Sequence, residues 1–275
     1  MLGGGLCPPS SSEGASTAPS EATPTDRLRG RSPRAKGAMA GTLYVVATPL
    51  GNLEDISARA LRVLREVDVV ACEDTRRTRG LLTHFDIHTP TVSYYAHNTL
   101  VRGASLLRQL AEGRSVALVT DAGTPGISDP GFLLVRDARA AGMSVVPVPG
   151  PSAVVTALSA AGVPADRFVF DGFLPVKAGR RLSRLRALRD LETTIVLYES
   201  PHRIAATVAA IGEVFGEVAL VLARELTKQF EEIVTATPTV HLERLAAGAI
   251  RGEFTLVIPA PGRGGWPDDA KDAGC

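Results

Sequence analysis

Residues 120–131 read Thr-Asp-Ala-Gly-Thr-Pro-Gly-Ile-Ser-Asp-Pro-Gly and follow a short apolar run at 116–119. Two carboxylates, Asp121 and Asp129, and the hydroxyls of Thr124 and Ser128 stand among Gly123, Pro125, Gly126, Pro130 and Gly131. An ordinary connection takes about two to six residues, and a longer ordered loop at a strand's end is more often functional. Glycine lets backbone approach a ligand closely, and proline fixes the loop's shape in advance. The segment is expected to cradle a ligand at the carboxyl edge of a sheet.

Other clusters carry charge to similar places. Glu73-Asp-Thr-Arg-Arg-Thr-Arg79 offers carboxylates with Arg76, while Arg77 and Arg79 could reach phosphate. Asp74 or Thr75 serves equally as a helix cap. Ser152, after Pro149-Gly-Pro151, opens a helix whose free N–H groups suit a ligand carboxylate, or it simply caps that helix. Tyr198-Glu-Ser-Pro-His-Arg203 and Arg224-Glu-Leu-Thr-Lys-Gln-Phe230 end two strands in charge. A structural Glu–Arg network is the plain reading there, because unpaired buried charge is expensive.

Lys177, Arg180, Arg181, Arg184, Arg186 and Arg189 crowd one helix above a stripe of Leu182, Leu185 and Leu188. Such a run is a solvated face or a contact for a polyanion. The loop Ala47-Thr-Pro-Leu-Gly-Asn-Leu-Glu-Asp55 follows the first strand. It has one glycine where a dinucleotide fingerprint needs three, and no Lys-Ser/Thr pair. It is read as a cleft-lining loop or an ordinary turn. No His/Cys/Asp/Glu group has ligand spacing, so no metal is expected.

The elements that must position these residues follow an α/β pattern. Strands are predicted at 43–47, 67–71, 91–95, 116–120 and 144–148, with helices at 57–66, 75–85, 98–111 and 131–141. A second series places strands at 168–171, 194–198, 218–223, 231–235 and 253–258, and helices at 152–161, 178–190, 203–215 and 240–247. Pro147-Val-Pro-Gly-Pro151 joins the two series as a stiff hinge. The predicted architecture is two α/β lobes, 41–149 and 150–261, with a ligand cleft between them.

Residues 1–40, rich in Gly, Ser, Pro and Ala, are expected to be disordered, and 262–275 to be a flexible tail. Met39, directly before the first strand, is a candidate start. Hydrophobic residues make up 45% of the chain, ample for a core. No run approaches the roughly 18 apolar residues of a membrane span, and the N-terminus lacks a signal-peptide pattern. Cys7, Cys72 and Cys275 are far apart, so a reducing, cytoplasmic location is expected. With 30 Lys and Arg against 29 Asp and Glu, the net charge is +1, and a nucleic acid would have to be held by local patches.

In collinear order the loops resemble one family. They are Val46-Ala-Thr-Pro-Leu-Gly-Asn-Leu-Glu-Asp-Ile-Ser57, Glu73-Asp-Thr-Arg76, Thr120 to Gly131, Pro149-Gly-Pro-Ser-Ala153, Asp171-Gly-Phe-Leu-Pro175, Tyr198 to Arg203, Leu222-Ala-Arg-Glu-Leu-Thr-Lys228 and Arg251-Gly-Glu-Phe254. Over about residues 42–260 the chain resembles the bacterial 16S rRNA (cytidine) ribose 2′-O-methyltransferase I family, a branch of the tetrapyrrole-methylase superfamily. The resemblance implies S-adenosylmethionine as methyl donor, a homodimer, and a decoding-centre cytidine of the small ribosomal subunit as acceptor.

By the same likeness the donor would touch Pro49, Leu50, Gly51, Asp121, Gly123, Thr124, Pro125, Ile127, Ser152, Ala153, Phe173 and Leu174. RNA would meet Arg77, Arg79, Lys177, Arg180, Arg181 and Arg184. A ribose hydroxyl is a weak nucleophile that benefits from a proton acceptor. Glu73, Asp74, His97, Glu199, His202, Glu225 and Lys228 are the candidates. Glu73, Asp74 and Arg76 are expected to orient the ribose and its phosphate, with Glu225 or Lys228 assisting. Tyr95 stands where the family often shows His. The rival readings are a methyltransferase acting on a tetrapyrrole or another non-RNA acceptor, and a binding module without catalysis.

Overall fold

The computed structural model describes residues 41–261, except 97 and 130. The expectations for 1–40 and 262–275, and the candidate His97, lie outside the described residues. The first series of elements is β1 (Thr42–Val46), α1 (Ala58–Glu66), β2 (Val69–Cys72), α2 (Thr75–His84), β3 (Thr91–Ser93), α3 (Thr99–Ala111), β4 (Val116–Leu118), α4 (Phe132–Ala140) and β5 (Ser144–Val148). The second is α5 (Ala153–Ala161), β6 (Phe168–Phe173), α6 (Ala178–Arg189), β7 (Thr194–Glu199), α7 (Ile204–Phe215), β8 (Leu220–Arg224), β9 (Glu232–Ala236), α8 (Pro238–Ala246) and β10 (Phe254–Ile258).

The first sheet has the order β3-β2-β4-β1-β5, and every pair in it is parallel. Its inner strands read as continuous apolar runs because helices cover both faces. All four residues of β2 and all three of β4 are buried. On one face Ala60, Val63 and Leu64 of α1 and Leu82 of α2 pack on Val46, Val70 and Ala117. On the other, Leu106 and Leu110 of α3 and Leu134 of α4 pack on Leu43, Ala71 and Leu118. Pro147, which cannot donate to a ladder, sits on the edge strand β5.

The second sheet has the order β6-β7-β10-β8-β9. It is mixed: β6 pairs parallel to β7, while β10 runs antiparallel to both β7 and β8. Side chains alternate across it. Ile195 and Leu197 meet α6 and α7, whereas Val196 meets Val154 and Ala157 of α5. The starts of α1, α2 and α8 are capped locally, and α8 opens at Pro238 rather than at the expected 240. Ser57 accepts from the Ala60 N–H, Asp74 from that of Arg76 and Thr237 from that of Val240, with Pro238 opening α8.

Candidate active site

The carboxyl ends of β1, β4 and β5 face those of β6 and β7 across a seam, the usual place for a ligand in open α/β sheets. A cavity of about 420 Å³ occupies it, within the size range of small-molecule sites. Leu50, Ile127, Phe173, Tyr198 and Phe254 give it apolar walls, and the loop from Thr120 to Asp129 forms its floor. The loop is tied to the turn after β1. Thr48 and Gly123 exchange N–H to carbonyl bonds of 2.9 and 3.0 Å, and Thr48 Oγ1 donates to the Thr120 carbonyl at 2.9 Å.

Two glycines are required here. Gly123 has φ +84° and a Cβ on it would press Leu50 at 3.3 Å. Gly172, φ +64°, lies in the bulge of β6, where a Cβ would come within 2.9 Å of Ser128 Oγ. The second sheet thus meets the loop of the first through a residue without a side chain.

A second, more open recess of about 450 Å³ adjoins the cavity, and Arg77 and Asp121 line both. Glu73, Asp74, Thr75, Ser93 and Tyr95 complete it. Asp121 Oδ1 accepts the Asp74 N–H at 3.1 Å, and its Oδ2 lies 3.4 Å from Arg77 Nη1. The Arg76 guanidinium holds the Asp74 carboxyl below the usual range. Partial desolvation in the recess, then the charges of Asp121 and Asp129, push the Glu73 carboxyl up. Burial lifts Asp129 too, and pushes the Tyr198 phenol up to about 12, so Tyr198 stays neutral.

The charged ends of β7 and β8 prove to be frameworks. Glu199 is buried and accepts from the Ser200 N–H at 2.9 Å and Thr207 Oγ1 at 2.7 Å. Arg203 Nε lies 3.4 Å from the same carboxylate, and its Nη2 donates to the Leu174 carbonyl. After β8, Lys228 Nζ bridges Glu225 at 2.9 Å and Glu253 at 3.0 Å. Burial opposes its charge, but the two carboxylates outweigh burial and raise its pKa, so Lys228 remains a cation and is no proton acceptor. Its stem lies against Gly51, where a Cβ would come within 2.2 Å of Lys228 Cγ. Thr227 Oγ1 accepts the Asn52 N–H at 3.2 Å. This turn is a latch from the second sheet onto the first.

Comparison with known proteins agrees with this geometry. Residues 42–239 match the family model "Tetrapyrrole (Corrin/Porphyrin) Methylases". A Pseudomonas aeruginosa protein named ribosomal RNA small subunit methyltransferase I is 57% identical over 223 residues, covering 80% of this chain and 79% of that protein. One of the same name from Halalkalibacterium halodurans is 46% identical, covering 83% and 79%. The chain belongs to the ribosomal RNA small subunit methyltransferase I family. Solved structures show the same fold at low identity. A diphthine synthase has a TM-score of 0.65 at 16% identity, covering 82% of this chain and 92% of that one. A cobalt precorrin-4 methyltransferase has a TM-score of 0.62 at 19% identity, covering 79% and 94%.

Of the residues that the family likeness implied for the donor, Leu50, Asp121, Gly123, Thr124, Ile127, Ser152, Ala153 and Phe173 line the cavity. Pro49, Gly51, Pro125 and Leu174 do not; the Leu174 side chain is buried in the core. Glu73, Asp74 and Arg77 gather at the recess, while Arg76 turns outward to Asp74. Glu225 and Lys228 line neither space and form the latch. Arg79 is exposed, with Nε 3.3 Å from Thr91 Oγ1.

At the start of α6, Lys177 in the cap position and Arg180 are exposed, and Arg184 is paired with Asp171. Arg181 is buried, with Nη1 3.5 Å from the Val176 carbonyl, so its place as a phosphate contact is corrected to a core one. Sequence reasoning missed Tyr198, Ser200, Glu253 and Thr255 as cavity walls. Arg251-Gly-Glu-Phe254 was a visible signal, but only the antiparallel course of β10 brings its start to the seam. Among the described residues no group could hold a metal ion and no helix is long and apolar enough to cross a membrane.

Proposed function

We propose that the chain transfers a methyl group from S-adenosylmethionine to the 2′-oxygen of a decoding-centre cytidine in 16S rRNA of the small ribosomal subunit. The observation that carries this reading is the seam cavity at the strand ends of the two sheets, in a chain 57% identical to a small subunit methyltransferase. The donor fits the residues present. Leu50, Phe173 and Tyr198 offer apolar walls for a flat base, and the N-terminus of α5 at Ser152 and Ala153 offers N–H groups to a carboxylate. Gly123 leaves backbone open to close approach. The bound donor supplies a methyl group activated by its sulfonium.

The chain's own part is alignment. Methyl transfer is an in-line displacement, so holding hydroxyl, methyl and sulfur in one line supplies much of the acceleration. Glu73 and Asp74 at the recess, with Arg76 beside them, orient the ribose and its phosphate. Arg77, Arg79, Lys177 and Arg180 are among the exposed cations of the described residues and are available to RNA phosphates. Glu225 and Lys228 assist by holding the loop at Gly51. The protein acts in the cytoplasm as a homodimer. The test is transfer of radiolabelled methyl to 30S subunits, free 16S rRNA and tetrapyrroles side by side. Label in RNA of the small subunit is expected, and label confined to the tetrapyrrole contradicts the reading.

A further inference from the structure

Three carboxylates face the recess beside the donor cavity, and they differ in what they already hold. Asp121 is engaged by the Asp74 N–H and the Arg77 guanidinium. Asp74 is engaged by the N–H, Nε and Nη2 of Arg76. Glu73 has neither a hydrogen-bond nor an ion-pair partner among the described residues. It stands open to solvent, across a recess shared with the cavity through Arg77 and Asp121. On the neighbouring strand, paired with the end of β2, β3 ends at Ser93, and Tyr95 offers a partly exposed ring to the same recess.

We infer that the recess receives a single nucleotide turned out of the RNA, its base against Tyr95, and that Glu73 accepts the proton of the ribose hydroxyl. This rests on the methyl-transfer reading above. RNA-binding sites commonly take up single nucleotides splayed out of loops, and an aromatic ring gives such a base a stacking surface. In the step, the ribose oxygen gains the methyl carbon, and the carbon–sulfur bond breaks with its electron pair left on sulfur. The hydroxyl proton passes to the Glu73 carboxylate and then to water. Asp74 on its own loop, Arg77 on α2, and Asp121 and Asp129 on the loop after β4 are the charged groups facing it. Asp74, Asp121 and Asp129 disfavour its ionised form and Arg77 favours it, so kcat/KM is to rise with pH as Glu73 ionises.

The experiment compares Glu73→Gln, Glu73→Asp, Tyr95→Ala and Tyr95→Phe on 30S subunits, with donor affinity measured separately by calorimetry. Glu73→Gln is expected to lose about a hundredfold or more in kcat/KM together with the acid limb of the pH profile. Glu73→Asp is expected to keep that limb at a lower rate, and all four variants to bind donor as the wild type does. Tyr95→Ala should weaken binding of 30S subunits in a filter assay, whereas Tyr95→Phe should not. An unchanged rate and pH profile for Glu73→Gln overturns the inference, as does loss of its donor affinity, which would place Glu73 in the donor site. A wild-type protein that binds donor but labels no RNA overturns the methyl-transfer reading, and the inference with it.

Discussion

Asp121 joins the two recesses, and a charged acceptor there is hard to replace. It organises both the Asp74 backbone and Arg77. Hydrogen bonds to charged groups contribute about 1.5–3 kcal/mol, so Asp121→Ala should weaken donor binding by about tenfold or more in calorimetry. Glu199 presents the opposite case, a carboxylate whose work is internal. Its removal leaves Thr207 without its acceptor and Arg203 without its counter-charge, and breaking a buried pair costs about 3–5 kcal/mol. Glu199→Ala should therefore lower the denaturant midpoint sharply; an unchanged midpoint would contradict the framework role. Glu225 adds a pH dependence. Burial would raise its pKa, but Lys228 and the Glu253 N–H outweigh that and depress it. Its contribution to stability is thus present above the unfolded value and lost as pH falls through the folded one. Glu225→Gln should flatten acid unfolding over that interval.

At the scale of elements, the strand and helix pattern was readable because apolar runs, caps and glycines all pointed the same way. The Arg-rich helix, the strand at 144–148 and the cap at Asp74 appear where propensity and pattern put them. Strand direction was not readable. Alternating strands and helices suit a parallel sheet, yet β10 enters between β7 and β8 in the opposite sense. That choice is made by long-range pairing, which no local window contains, and it hid Glu253 and Thr255 from the site. Arg181 was misplaced for a related reason: its spacing on α6 suits the charged face, but packing turns it inward to Val176. The bulge at Gly172 is likewise a tertiary feature. Gly172→Ala combines a left-handed backbone, costing about 1–2 kcal/mol, with a close approach to Ser128. It should lower both Tm and donor affinity, and a variant with wild-type values for both would remove Gly172 from the seam.

Across the whole molecule, charge is nearly balanced, so any hold on RNA comes from placed cations rather than from a basic surface. Lys177, in the cap position of α6, and Arg180 are the exposed cations of this segment left after pairing and burial are accounted for. Replacing both with Ala should raise KM for 30S subunits and lower the salt dependence of binding by about one or two in log–log slope, with donor affinity intact. On the proposed reading, two sheets meeting at their strand ends, with backbone loops for a small donor and a charged recess for the acceptor, form one device for bringing a methyl group to a nucleotide. The most direct test is mass spectrometry of nuclease-digested 16S rRNA after 30S subunits react with donor carrying a deuterated methyl group. The expected result is label in one cytidine, on its ribose. Label on a base, or none in RNA, would contradict the account.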